Sequence, residues 1–183
     1  MVLYVVRHGE SEFNLQGRYG GYYDTPLTSK GLGQAKQLAE ILNEIHFEII
    51  VTSTLSRARQ TAEIIKESFH VPLVESDEFK ERNLGVYAGL TREEIIEKYP
   101  DLWERNCTRQ WNDAPTNGET YQQFDERITK ALLNLEKEYP QKSVLLVTHG
   151  YVLRVINRYY KNLSFEEMHS FDLKNCEIVE YRK

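Results

Sequence analysis

Residues 1–10 read MVLYVVRHGE, in which a short apolar run gives way to charge at Arg7. A continuous apolar run such as residues 2–6 is typical of a strand that is buried on both faces, as in a parallel sheet. Arg7 and His8 follow at its carboxyl end. The stretch therefore predicts a first, central strand that delivers an arginine and a histidine to one edge of a sheet.

Outward from this strand, short apolar runs alternate with helical apolar patterns along the whole chain. We predict further strands at 47–51, 71–74 and 144–147, with an edge strand at 178–181, and helices at 32–45, 55–69, 91–98, 121–135 and 152–159. Thr28 or Ser29 is a candidate cap for the first helix, and Pro100 is expected to stop the third. Such alternation predicts an α/β fold, specifically a three-layer α/β/α sandwich with a mostly parallel central sheet and one antiparallel edge strand.

The bulk composition is that of an ordinary globular protein. The chain has 183 residues, 40% of them hydrophobic and 28% charged, which predicts a single domain over residues 1–183. Cys107 and Cys176 show no CxxC spacing, so neither a disulfide framework nor a zinc site is expected. The apolar run at the N-terminus is too short for a signal sequence. These features predict a cytoplasmic protein.

The charge distribution excludes two classes of partner. The formal net charge is -5, and no basic stripe of the kind found in nucleic-acid binders is present. No apolar stretch approaches the length that spans a bilayer, so no membrane partner is expected. An acidic protein of this kind still binds a small anion where several cations converge in a pocket.

Three predicted strands end in residues that carry chemistry. Arg7 and His8 follow the first strand, residues 53–57 follow the second, and residues 148–150 follow the strand at 144–147. In open α/β sheets, ligands bind outside the carboxyl ends of the strands. We therefore expect His8, His149, Arg7 and Arg57 to meet at one edge of the sheet. The alternative is that the histidines only cap hydrogen bonds there and that the arginines form structural salt bridges.

These residue types fit phosphoryl transfer. Neutral imidazole is a nucleophile that forms a phosphohistidine, and the planar fork of arginine binds phosphate oxygens in pairs. A leaving alkoxide also needs a proton. The best candidate acid is Glu81, in the segment Glu81-Arg82-Asn83-Leu84-Gly85; the alternative for it is an exposed surface glutamate. We interpret Arg82 and Arg59 as ion-paired or solvated.

The motifs as a set resemble the histidine phosphatase superfamily, which contains cofactor-dependent phosphoglycerate mutases and many small-molecule phosphatases. The resemblance begins with Arg7-His8-Gly9-Glu10 and covers nearly the whole chain. Its other blocks are Asn14, residues 24–28 with Gly31, Gln34 and Ala35, residues 53–62, residues 81–85 with Gly89, residues 118–120, residues 148–150, and Asn175.

The resemblance implies a role for each matched residue. His8 is expected to be phosphorylated, with Gly9 allowing close backbone approach beside it. The other implied roles are phosphoryl binding by Arg7, Arg57 and His149, proton donation and later activation of water by Glu81, and contact with phosphate or substrate by Asn14. No cofactor and no metal are expected, since the arginines neutralise charge as magnesium does elsewhere. Glu10 is interpreted as structural support.

Substrate contacts are predicted more broadly than the catalytic set. We expect them from Asn14, Gly20, Gly21, Tyr22, Arg92 and Gly150. For Tyr22 packing is an equal alternative. Residues 100–120 lack a strong period and contain Trp103 and Trp111, so we predict a lid or side wall over the phosphate pocket; the alternative places both tryptophans in the core.

Three functions compete at this point. In the family that the chain resembles, the mutases carry a tyrosine at the position where this chain has Leu84. They also carry paired arginines near the position where this chain has Trp111-Asn112-Asp113. These departures favour water as the final acceptor, and hence a metal-independent phosphatase acting on small phosphorylated metabolites. A phosphoglycerate-mutase-type transfer and a phosphate-binding module without turnover stay open as alternatives. The oligomeric state is open between monomer and homodimer.

Overall fold

The computed structural model describes residues 1–182. Five strands and seven α-helices follow one another within these residues, with short 3₁₀ turns between several of them. The strands are β1 (Val2–Arg7), β2 (Ile49–Ser53), β3 (Leu73–Ser76), β4 (Ser143–Thr148) and β5 (Ile178–Arg182). The helices are α1 (Glu12–Leu15), α2 (Ser29–Ile41), α3 (Ser56–Lys66), α4 (Arg92–Lys98), α5 (Pro100–Glu104), α6 (Tyr121–Glu138) and α7 (Gly150–Lys161).

The strands form one sheet in the order β3-β2-β4-β1-β5. β1 pairs with β4, and β2 pairs with both β4 and β3, all in parallel. Only β5 runs antiparallel, along the outer edge of β1. The predicted α/β class and the mostly parallel sheet with one antiparallel edge strand are both confirmed.

The sheet separates two hydrophobic cores because its central strands are apolar on both faces. In β1, Leu3 and Val5 pack on the side of α6 and α7, whereas Val6 packs on the side of α2 and α3. All three side chains are fully buried. The result is the three-layer arrangement that the uninterrupted apolar run of β1 predicted.

Parallel pairing brings the predicted chemical residues to one edge. Arg7 is in register with Thr148, the last residue of β4. The backbone N–H of His8 donates to the carbonyl oxygen of Thr148 over 3.0 Å. His8 and His149 therefore leave neighbouring strands side by side, and β2 ends next to them at Ser53.

The predicted cap and stop are both confirmed. Thr28 caps α2, accepting from the N–H of Gly31. Helix α4 ends at Lys98, just before Pro100, and Pro100 also occupies the first turn of the next helix, α5, where a missing N–H costs nothing. α1 was missed because its four residues are too few to show a period; Ser11 and Asn14 form its capping box. No helix within residues 1–182 has the length and apolar character needed to cross a membrane.

The turn after β1 lies directly against the first turn of α2. A Cβ atom added at Gly31 would lie 2.1 Å from the carbonyl oxygen of Glu10, and one added at Gly9 would lie 2.6 Å from the carbonyl oxygen of Gly31. Both contacts are with backbone, which cannot rotate away. Glycine at these positions thus permits the close approach that seats the His8 turn.

Gly31→Ala is expected to lower the free energy of unfolding by about 2 kcal/mol, because the added methyl group forces the backbone of α2 or of the turn to move. Gly33→Ala is the matched control, since a Cβ there meets nothing within 4 Å; it should raise stability by about 0.5 kcal/mol. Urea denaturation of both variants measures the difference. Equal stability of the two variants would show that the close approach of the turn after β1 to α2 does not require glycine at position 31.

Candidate active site

A cavity of about 400 Å³ opens at the carboxyl ends of β1, β2 and β4. Its inner part contains His8, Arg7, Arg57 and Glu81, and its outer part is a mixture of aromatic, apolar and cationic side chains. Among the outer residues are Phe13, Tyr19, Leu84, Tyr151, Arg18, Arg92 and Arg154. The cavity therefore pairs a polar, cationic floor with a mouth of mixed character.

His8 is oriented with one ring nitrogen available. It is 3% exposed, and its Nδ1 lies 2.7 Å from the carbonyl oxygen of Gly9. A carbonyl only accepts, so Nδ1 carries the hydrogen and Nε2 carries the lone pair. Burial, and next the charge of Arg57, hold the pKa of His8 well below its ordinary value. The imidazole is thus neutral near pH 7, as a nucleophile must be.

His149 lies directly behind His8. The two ring centroids are 5.2 Å apart, at an interplanar angle of 61°. Nε2 of His149 lies 2.8 Å from the Ser53 hydroxyl oxygen, while its buried Nδ1 has no hydrogen-bond partner among the described residues. Burial and Arg57 lower the pKa of His149 as well. A neutral His149 that accepts from Ser53 carries its hydrogen on Nδ1; the residue is fully buried and is not among those that line the cavity.

Two arginines converge beside the histidines. Arg57, 3% exposed, donates from Nη2 to the carbonyl of Gly21 (2.9 Å) and from Nη1 to that of Tyr23 (3.0 Å). Arg7 donates from Nη1 to the carbonyl of Leu173 (2.5 Å), and its buried Nε has no hydrogen-bond partner among the described residues. Backbone carbonyls orient both guanidinium groups, and Arg7 also lies 3.6 Å from the carboxylate of the exposed Asp172.

Glu81 faces these cations from the opposite wall. Its carboxyl accepts from the N–H of Arg82 (3.0 Å to Oε1) and of Tyr151 (3.4 Å to Oε2). Burial raises the pKa of Glu81, against the opposing effect of Arg57. A carboxyl group that keeps its proton to higher pH than an ordinary glutamate is suited to donate that proton.

Asn14 and Asn175 connect the rim to the His8 turn. Nδ2 of Asn175 donates to the carbonyl of His8 (2.8 Å) and to Oδ1 of Asn14 (3.3 Å). Oδ1 of Asn14 also accepts from the N–H of Ser11 (3.1 Å). With its oxygen occupied, Asn14 presents its amide N–H groups to the cavity that it lines.

The predicted substrate contacts divide into two groups. Asn14, Gly20, Gly21, Arg92 and Gly150 all line the cavity. Tyr22 is not among the lining residues: it is 41% exposed, and its ring faces Lys80 and Arg127. A substrate contact by Tyr22 stays a prediction.

Both tryptophans of residues 100–120 pack against hydrophobic clusters. No residue of this segment is among those that line the cavity. Trp103 joins the small cluster around Leu84, and Trp111 packs on the edge of the α6–α7 core against Phe165. Closure of the segment over the pocket stays a prediction.

Three further charged residues of the cavity had not been expected, namely Arg18, Arg154 and Asp172. Arg154 lies one turn after Gly150 on α7, a spacing that places both on one helix face. Asp172 lies 3.6 Å from Nη1 of Arg7 and 3.9 Å from Nη2 of Arg154. Its segment, between α7 and β5, has no periodicity, so nothing in the sequence indicated its position.

Glu10 and Arg82 act away from the cavity. Glu10 binds Thr28 and Lys30 through its two carboxylate oxygens. Arg82 is fully buried and donates to three backbone carbonyls, so its interpretation as ion-paired or solvated was wrong. Within residues 1–182, no group of three or more His, Cys, Asp or Glu side chains is arranged to hold a metal ion.

The arrangement has the parts of a phosphoryl-transfer site. A neutral imidazole with a free nitrogen faces two arginines that retain their charge, and a buried carboxyl group lies opposite. Arg7 and His8 lie at the end of β1, Arg57 lies in α3 after β2, and Glu81 lies in the loop after β3. The fold and the site together define an α/β enzyme of phosphoryl transfer.

The chain belongs to the histidine phosphatase superfamily (branch 1), whose profile matches residues 3–182. It is similar to the uncharacterized phosphatase PhoE of Bacillus subtilis, at 40% identity over 152 residues, which are 83% of this chain and 73% of that one. It is also similar to the adenosylcobalamin/alpha-ribazole phosphatase of Salmonella typhimurium, at 35% identity over 156 residues, 85% and 77% of the two chains.

Solved structures agree with this assignment. The crystal structure of the alpha-ribazole phosphatase from Shigella flexneri superposes with a TM-score of 0.91 at 27% identity, covering 98% of this chain and 89% of that one. The resemblance read from the sequence is thereby confirmed, and the chain is a phosphatase of this superfamily.

Proposed function

We propose that this phosphatase hydrolyses phosphate monoesters of small metabolites through a phosphohistidine on His8, without a metal ion. The observation that carries the proposal is the hydrogen bond from Nδ1 of His8 to the carbonyl of Gly9. That bond fixes the tautomer and directs the lone pair on Nε2 toward the cavity between Arg7 and Arg57.

In the first half-reaction, Nε2 of His8 attacks phosphorus and the bond from phosphorus to the ester oxygen breaks. Arg7, Arg57 and the Nδ1–H of His149 bind the equatorial oxygens as charge shifts among them. Glu81 gives its proton to the departing oxygen. The products are the free alcohol, phosphohistidine and a Glu81 carboxylate.

In the second half-reaction, the Glu81 carboxylate takes a proton from a water molecule as the water oxygen attacks phosphorus. The bond from Nε2 to phosphorus breaks and inorganic phosphate leaves. His8 returns to its neutral tautomer and Glu81 to its protonated form. Neither half-reaction, as proposed, requires an oxidant, a reductant or a cofactor.

The substrate class follows from the mouth of the cavity. A volume of about 400 Å³ fits a small metabolite. Aromatic faces at Tyr19 and Tyr151 and cations at Arg92 and Arg154 suit a leaving alcohol with both apolar and polar parts. The names of the alpha-ribazole phosphatases among the relatives support a phosphorylated metabolite of this size.

Transfer to water rather than to a second substrate is supported by the apolar Leu84 in the cavity wall. Residues 100–120 contribute no cation to that wall, whose outer arginines are Arg18, Arg92 and Arg154. The proposed setting is the cytoplasm, since Cys107 and Cys176 are both free thiols. The proposed partner is the small substrate, with a monomer or homodimer as the working unit.

A phosphate-release assay with chelator present tests the proposal. Against a panel of phosphorylated metabolites that includes alpha-ribazole phosphate, and against p-nitrophenyl phosphate, we expect release that EDTA does not diminish, because arginines supply the charge. Ranking by kcat/KM names the preferred class. Release that appears only when a divalent cation is added would overturn the metal-independent mechanism.

A further inference from the structure

We propose that Arg127 and Glu119 are positioning residues for Glu81. As an ion pair they hold the backbone on both sides of Glu81, within a segment that we call the Glu81 loop (residues 77–85). The inference rests on the proposed function in one respect, namely that Glu81 is the proton donor. Neither residue lines the cavity, so both act through the loop rather than on the substrate.

Arg127 binds the backbone before and at Glu81. Its Nη1 donates to the carbonyls of Glu78 (2.6 Å) and Lys80 (3.1 Å), and its Nη2 donates to the carbonyl of Glu81 (3.3 Å). Three loop carbonyls thus share one guanidinium group. Arg127 extends from α6, whose apolar face is buried in the main core, so the ion pair is anchored to a rigid element.

Glu119 binds the backbone after Glu81 and holds Arg127 in place. Its two carboxylate oxygens accept from Nε and Nη2 of Arg127, at 2.9 and 3.0 Å. One of them also accepts from the N–H of Asn83 (3.2 Å), and the N–H of Glu119 donates to the carbonyl of Asn83 (2.9 Å). The side chains of the pair are 20% and 15% exposed, so water competes little for these bonds.

A second anchor lies beneath the first. The buried Arg82 donates to the carbonyls of Glu119 (2.9 Å), Thr108 (2.8 Å) and Asp113 (3.3 Å). Its guanidinium group also lies 4.1 Å from the ring centroid of Tyr121. The Glu81 loop is therefore tied to the segment 100–120 on one side and to α6 on the other.

The contacts of Arg127 and Glu119 matter because backbone N–H groups orient the carboxyl group of Glu81. Its carboxyl is bound only by the N–H groups of Arg82 and Tyr151 among the hydrogen bonds of the described residues. The position of the proton donor thus depends on the path of the loop relative to α7. A displacement of about 1 Å at a catalytic group costs on the order of 100-fold in rate. The ion pair contributes no net charge, so it fixes the loop without adding a charge beside Glu81.

The test compares leaving groups. Loss of a positioned acid slows an alkyl phosphate, whose alkoxide needs a proton, and spares p-nitrophenyl phosphate, whose phenolate does not. For Arg127→Met we expect kcat/KM to fall about 30-fold with the alkyl ester and less than about 3-fold with the aryl ester. Glu119→Gln should show the same selectivity to a smaller degree. Arg127→Lys should be intermediate, since lysine keeps the charge but not the fork.

Arg158→Met is the matched control. Arg158, on α7, forms an ion pair over 2.9 Å with Asp125, which lies on α6 as Arg127 does. This ion pair makes no contact with the Glu81 loop. Arg158→Met should lower thermal stability while leaving the ratio of the two kcat/KM values unchanged. If Arg127→Met fails to fold, Arg127→Lys and Glu119→Gln decide the outcome.

Glu81→Gln separates this inference from the proposed function. If Glu81→Gln is selective for the alkyl ester and the Arg127 and Glu119 variants slow both esters equally, the positioning role is wrong and the acid stands. If Glu81→Gln itself slows both esters equally, Glu81 is not the acid. If the Glu81, Arg127 and Glu119 variants all lose activity selectively toward the alkyl ester, the result supports both the role of Glu81 as the acid and the positioning role of the ion pair.

Discussion

Replacing His8 with alanine is expected to lower kcat by about 10⁴-fold or more, since no other described group offers an unprotonated nitrogen between Arg7 and Arg57. The same change should abolish the covalent phosphoryl label. The measurement is a rapid-quench experiment with ³²P-labelled substrate. Phosphate on a histidine nitrogen is stable in base and lost in acid, so the label should survive alkaline and not acidic quenching.

His46→Ala is the control for this experiment. His46 is exposed and lies outside the cavity, so label and rate should both match the unmodified enzyme. Retention of an acid-labile label in His8→Ala would move the nucleophile to another residue. The neighbouring His149 is the candidate in that case, and His149→Ala on the same background would decide it.

Glu81→Gln has the second largest expected effect, a loss of about 10²–10³-fold in kcat/KM for alkyl phosphates. Glutamine fills about the same volume. Its one carbonyl oxygen can accept from only one of the N–H groups of Arg82 and Tyr151, and its amide has no acidic proton to give. p-Nitrophenyl phosphate should be affected far less. Glu78→Gln, on the exposed side of the same loop, is the control.

The pH dependence of kcat/KM tests the role of Glu81 independently, by comparison of the unmodified enzyme with Glu81→Gln. His8 must be neutral, and because its pKa is lowered, the acid limb of kcat/KM lies below the ordinary range of histidine. Glu81 must be protonated, and because its pKa is raised, the rate falls only as pH rises through that raised value. Glu81→Gln should abolish the alkaline limb and leave the acid limb. An alkaline limb that persists in the variant belongs to another group.

The sheet and the inner site could be predicted because local pattern and chemistry agreed there. The apolar runs of β1, β2 and β4 fixed which strands are central, and in a parallel sheet their carboxyl ends meet at one edge. Residues at those ends, such as His8 and His149, were placed by that rule alone. Glu81 was a weaker prediction, since its position depends on a loop and not on a strand.

The outer cavity and its supports could not be predicted because long-range contacts place them. Asp172 reaches Arg7 from a segment without periodicity, and its partner is distant in the chain. Arg82 resembles a surface residue in sequence, yet three backbone carbonyls from other segments accept its N–H groups in the interior. The contacts of the Tyr22 ring with Lys80 and Arg127 could not be predicted either, since both residues lie far along the chain.

The parallel pairing of β1 with β4 has a consequence for how the enzyme forms. The pairing joins residues 2–7 to residues 143–148, so the nucleophile and its neighbouring histidine come from segments that lie far apart in the sequence. Closing so long a loop is entropically costly, and topologies dominated by such contacts fold slowly. On the ribosome the first strand emerges long before its partner. Catalytic competence therefore arises only after most of the chain has been synthesised, and a prematurely terminated chain has none.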